Sequence, residues 1–177
     1  MKGVPYSVSA RDFERYCPSA LLLSSLPFDW EGVTVRAYQK PKEAEQAIAP
    51  SVPDVSLTLI TQGTLAFDYR EVGDAWETGH LSVGDWSVVP GGGQPHESRS
   101  HTLSVEPVQS LLIHVHADVL ARAGSVLTSD DPARVEIRQR LVFQDPLLTQ
   151  IGLALQHELG APTVAGKLYA ETAAQML

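Results

Sequence analysis

His114 and His116 flank Val115, and in a strand that spacing turns both imidazoles to one face, where they could ligate a divalent metal. Asp85, directly after Gly84, has the carboxyl of a general acid, but a Gly-Asp step opening a strand reads as a turn whose carboxylate accepts backbone N–H groups. Gly91, Gly92 and Gly93 could cradle a phosphate. They lack the following Lys-Ser/Thr and the strand-to-helix context of such loops, so they read as a turn needing positive φ. Cys17 is the single cysteine, which excludes an internal disulfide and a cysteine zinc site, and it reads as a small apolar residue. No Ser-His-Asp or Cys-His arrangement is supported by residue order. The chain is read as having no catalytic residue and no cofactor, and so as not an enzyme.

The elements that would position these residues fall into two parts. From about residue 33 to residue 115 the chain reads as short strands broken by turn signals. Residues 32–38 alternate and stop at Lys40-Pro41; residues 55–60 form a second run ending at Gln62-Gly63. Residues 65–70 place Leu65, Phe67 and Tyr69 on one face and Ala66, Asp68 and Arg70 on the other. A weaker strand follows over 76–81, then strands over 86–89, 102–105 and 111–116, with turns at Gly73-Asp74, Gly84-Asp85 and Pro90. Many short strands without intervening helices predict an antiparallel sandwich or barrel.

Beyond that region the period changes. Residues 118–123 predict a short helix closed by Gly124, and residues 125–140 a connection with one further strand. Asp145 as N-cap, Pro146 at the first helical position and Gly160 as a stop before Pro162 predict a second helix. Its stripe of Leu148, Ile151, Leu155 and Leu159 could cover the barrel or form a dimer interface. A third helix is expected from Gly166 to the end of the chain, which stops without a terminating Gly, Asn or Pro and reads as a boundary before a further domain.

Composition narrows the function. The 177 residues are 44% hydrophobic and 19% charged, as in an ordinary globular domain. The net charge of −8, from 21 acidic and 13 basic residues, and the lack of a basic cluster argue against tight nucleic-acid binding by this chain alone. No apolar run is long enough to span a membrane and no secretory signal opens the sequence, so the expected location is cytoplasmic.

Three stretches then match a known pattern. They are Ser24-Ser25 with Trp30-Glu31-Gly32-Val33; Gly84-Asp85-Trp86-Ser87-Val88-Val89-Pro90 followed by His96; and Asp145-Pro146-Leu147-Leu148 with Leu155, Glu158-Leu159 and Gly166-Lys167-Leu168-Tyr169-Ala170-Glu171. Together they resemble the N-terminal effector-binding and dimerisation domain of AraC-type (AraC/XylS) transcriptional regulators. The resemblance implies a mainly β fold with C-terminal α: a cupin-like antiparallel barrel (a double-stranded β-helix, or jelly roll) followed by a helical pair. The expected division is an entry arm over 1–32, a barrel over 33–143 and a helical pair over 144–177. A small-molecule effector and a homodimer are implied, with DNA bound only through a helix-turn-helix domain absent from this chain.

Metal-binding cupins carry their His-x-His before the Gly-Asp element. Here His114 and His116 come after it and His96 sits one residue late, so no metal is expected. Small barrels hold ligands in their mouths, and Tyr38, Trp76, Trp86, His96 and His114 are the expected lining, with the facing of each left open by period-2 alternation. The alternative readings are a standalone cupin enzyme, possibly metal-dependent, and a barrel that only dimerises.

Overall fold

The computed structural model describes residues 4–127 and 137–177. Ten strands form two antiparallel sheets. β1 (Ala20–Ser24), β2 (Val33–Gln39), β4 (Val55–Gln62), β7 (Trp86–Val89), β9 (Gln109–Val115) and β10 (Arg140–Phe143) form one sheet in the order β1-β2-β9-β4-β7-β10. β3 (Glu43–Ala49), β5 (Thr64–Glu71), β6 (Glu77–Ser82) and β8 (His96–Thr102) form the other, in the order β3-β8-β5-β6. Among the described residues there are three α-helices: α1 (Ala117–Leu127) between β9 and β10, then α2 (Pro146–Gly160) and α3 (Gly166–Met176) after β10. The mainly β architecture of antiparallel sheets with C-terminal helices is the one expected.

Both faces of the larger sheet are covered. Val35 and Ala37 of β2, Leu57 and Leu59 of β4, Trp86 of β7 and Leu111 and Ile113 of β9 pack against α2 and α3 in one buried cluster. From the helices it receives Ile151, Leu155, Leu159, Ala170, Ala173 and Ala174. The intervening residues, among them Arg36, Tyr38, Ser56, Thr58, Ser110 and His114, therefore turn toward the second sheet and line the barrel interior. Part of that interior, beside the β4–β5 hairpin, is filled by Ile60, Leu65, Leu81 and Val108 with Phe67. The large apolar core thus lies outside the barrel, under the helices.

α2 begins as its sequence requires. The Asp145 carboxylate accepts from the N–H groups of Leu147 and Leu148 at 2.9 and 3.0 Å, and Pro146 occupies the first turn. Gly152 lets the helix lie close on the sheet, since a Cβ there would stand 3.0 Å from Cη2 of Trp86 and 3.2 Å from Cδ2 of Leu59.

Some elements depart from expectation. The strand expected over 102–105 ends at Thr102, because β8 starts earlier and pairs with β3. β3 reads Glu-Ala-Glu-Gln-Ala-Ile-Ala, a helix-prone composition overridden by that pairing. β1 lies within the expected arm, and α1 runs past Gly124 to Leu127. Ahead of β1, the arm joins the barrel through a parallel bridge between Ser7 and Ser51, and a 3-10 turn spans Phe13–Tyr16.

Candidate ligand cavity

The barrel interior holds a cavity of about 190 Å³ beneath the arm. Its wall is built from inward positions of both sheets: Tyr38 and Ser110 from one, Ala47, Ser98 and His96 from the other. Phe13, Tyr16 and Cys17 of the arm complete it. The strands contribute hydroxyls (Ser56, Thr58, Ser98, Ser100, Ser110) between small or apolar positions such as Ala44, Ala47, Val89 and Leu112.

Three larger polar groups share the wall with these hydroxyls. The Tyr38 hydroxyl is buried beside the Cys17 thiol, with no oxygen or nitrogen partner among the described residues. Burial pushes its phenol above the usual range. Lys40, half-buried on the wall, has its ammonium destabilised by burial, which lowers its pKa. His96 stacks on Tyr69 with ring centroids 5.2 Å apart. Burial holds its pKa at about 4, so its imidazole is neutral at pH 7.

Beside this cavity Arg36, 0% exposed, fastens the arm. Its Nη1 donates to the carbonyl of Ala10 at 2.8 Å and its Nη2 to that of Arg11 at 2.9 Å, while Nε lies 3.7 Å from the Glu14 carboxylate. His114 is 1% exposed on the same inner face, with the Phe13 ring against it at 5.3 Å. Neither of its ring nitrogens has a hydrogen-bond partner, and burial together with the Arg36 and His116 charges holds its pKa at about 3.

Tyr38 and His96 stand in the cavity wall; the other three expected lining residues do not. His114 faces inward beside the wall, under Phe13. Trp86 points to the opposite face, is 0% exposed and donates through Nε1 to Thr149 Oγ1 at 3.0 Å. Trp76 lies outside the barrel between the guanidinium groups of Arg70 and Arg99, at 4.4 and 4.3 Å. His116 falls just beyond β9 and shares a 3.0 Å hydrogen bond with Thr34 Oγ1. Among the described residues no group of three or more His, Cys, Asp or Glu side chains is placed to hold a metal.

Of the two uses left open for the α2 stripe, it covers the barrel here. Ile151, Leu155 and Leu159 are buried against the sheet, with Leu148 packed at their margin, because α2 needs that face to cover the barrel. The exposed apolar side chains of the helical pair are Leu147, Leu153, Leu168 and Met176.

Apo ToxT K231A from Vibrio cholerae matches with a TM-score of 0.60 at 10% identity, over 82% of this chain and 52% of that one. The chain shares its fold with ToxT. ToxT bound to (E)-4-(8-methylnaphthalen-1-yl)but-3-enoic acid matches with a TM-score of 0.55 at 11% identity, over 81% of this chain and 54% of that one. Wild-type ToxT with an unsaturated fatty acid bound gives 0.55 and 11%, over 82% and 51%. The chain spans about half the length of these ToxT chains. No protein-family model and no curated protein matches the sequence.

Lys40 and the arm residues escaped the sequence reading because they lie outside any amphipathic strand. A signal for the inward face was present: Ser56 and Thr58 alternate with Leu57 and Leu59, and Ser110 precedes Leu111.

Proposed function

We propose that this chain is the effector-sensing domain of an AraC-type transcriptional regulator, and that its effector is a small acid with an apolar body. The observation that carries the reading is a barrel cavity, covered by the arm, whose wall holds the Lys40 amine, without an ion pair among the described residues, and the buried Tyr38 hydroxyl beside Cys17. A carboxylate between them would accept a charge-assisted hydrogen bond from each. The small and apolar side chains of Ala44, Ala47, Val89 and Leu112 would enclose the rest of the molecule. The acids named in the ToxT structures are of this chemical type.

The arm is the switching element in this reading. A ligand in the cavity touches Phe13, Tyr16 and Cys17, so it binds more tightly to the arm-closed form and shifts the population toward it. The arm position would be communicated to a helix-turn-helix domain outside this chain. A two-fold dimer, formed through the helical pair by residues such as Leu153 and Leu168 in place of the buried stripe, would match two DNA half-sites. Its cytoplasmic location belongs to the same reading. The test is thermal denaturation with a panel of medium- and long-chain fatty acids. Stabilisation that Lys40→Met removes supports the proposal; no stabilisation by any acid overturns it.

A further inference from the structure

The cavity has a second charge. Glu71, the last residue of β5, lines it at the end opposite Lys40, and among the described residues neither side chain has an ion pair or hydrogen bond. The strand register places the two ends of the cavity along β8. Glu71 pairs with His96 at the start of β8. Lys40 follows β2, where the chain turns into β3, whose Ala44 pairs with Ser100 near the end of β8. His96 and Ser100 are four strand positions apart, roughly 13 Å at the rise of a β-strand.

Gly93, itself in the wall, borders the Glu71 carboxylate: a Cβ added there would stand 3.4 Å from it. The neighbouring titratable group, His96, is neutral at pH 7 and does not satisfy the carboxylate. Arg70, next in sequence, points to the other face and donates to Glu97 at 2.8 Å.

We propose, building on the acid-binding reading above, that the cavity takes a two-headed ligand: an anion held at Lys40 and Tyr38, and a cationic or donor-rich head, such as a primary ammonium, held at Glu71. Between the heads, a flexible apolar spacer lies along Ala44, Ala47 and Ala49. A one-headed acid of the same length leaves the Glu71 carboxylate facing an apolar chain end, which discriminates against it.

Calorimetric titration of the full chain with straight-chain ω-amino carboxylic acids, against fatty acids of equal length, tests this. At the best length the amino acid should bind about tenfold more tightly than its fatty acid, equivalent to about 1.4 kcal/mol. Glu71→Gln should erase that difference. Equal or tighter binding of the fatty acid by the wild-type protein overturns the two-headed ligand and leaves the acid-binding site standing. So does a preference for the amino acid that survives Glu71→Gln. Failure of both series to bind overturns both readings.

Discussion

The guanidinium of Arg36, inside the barrel, donates to the carbonyl of Ala10, 26 residues earlier, at 2.8 Å with no exposure to solvent. A second bond, to Arg11, makes the contact a two-point clasp. Arm and barrel are thus joined by a buried cation and two backbone dipoles, a geometry that holds only while the arm lies across the barrel.

Arg36→Met should release the arm. Two charge-assisted hydrogen bonds are lost, each worth about 1.5–3 kcal/mol, while the apolar replacement relieves part of the desolvation of the cation. The net expectation is a loss of about 2 kcal/mol of stability, with faster amide exchange at Val8, Asp12 and Phe13, whose N–H groups are bonded in the closed arm. Unchanged exchange at those amides would show that Arg36 does not hold the arm.

Acid binding should take up protons. Burial lowers the Lys40 pKa in the empty cavity, and a bound carboxylate raises it again by favouring the charged amine. Affinity should therefore fall as pH rises above the empty-state pKa. Calorimetry in buffers of different ionisation enthalpy reads the proton uptake directly, and Lys40→Met should abolish it. An enthalpy that does not depend on the buffer, at pH values above that pKa, would contradict the assignment.

Stability should decline in mild acid. His114 has a folded pKa of about 3 against 6.5 unfolded, so between those values the unfolded state binds more protons and stability rises with pH. The slope from this residue reaches at most about 1.4 kcal/mol per pH unit within the window. The stability is intact above pH 6.5 and falls away as the pH approaches 3. His114→Leu should flatten the denaturant-midpoint profile over that range without loss at pH 7, since both ring nitrogens are buried without partners. A mutant profile as steep as the wild type would assign the acid sensitivity elsewhere.

Gly152→Leu should loosen the helical layer. The added side chain meets Trp86 and Leu59, which already stand 3.0–3.2 Å from where a Cβ would lie. Overpacking there should cost about 1–3 kcal/mol. Gly152→Ala should be milder, because roughly 1 kcal/mol of helix propensity offsets its smaller clash. Urea midpoints of the two variants give the comparison.

The sequence disclosed much of the scaffold. Asp145 and Pro146 open α2 through a cap and a fixed φ, both local effects, and the helix ends at Gly160 without a left-handed residue. The cavity was half legible. Tyr38 and Trp86 are both large amphipathic residues on alternating strands, yet one faces the interior and the other the helices. Period-2 alternation separates two faces without naming them, and here the apolar face lies outside the barrel. Lys40 and Glu71 stand at strand ends, where no periodicity marks them. The arm joins the barrel through backbone carbonyls, which carry no side-chain signature.

Leu57, Leu59, Leu111 and Ile113 hold the helices on the outside, while Ser56, Thr58 and Ser110 between them line the cavity. Foldability and selectivity are therefore written in alternate letters of the same strands. A change at an inward position can retune what the cavity accepts while the outward neighbours keep the domain folded. If the cavity holds an effector as proposed, such a chain can exchange one ligand for another by single steps while its outward positions keep the fold.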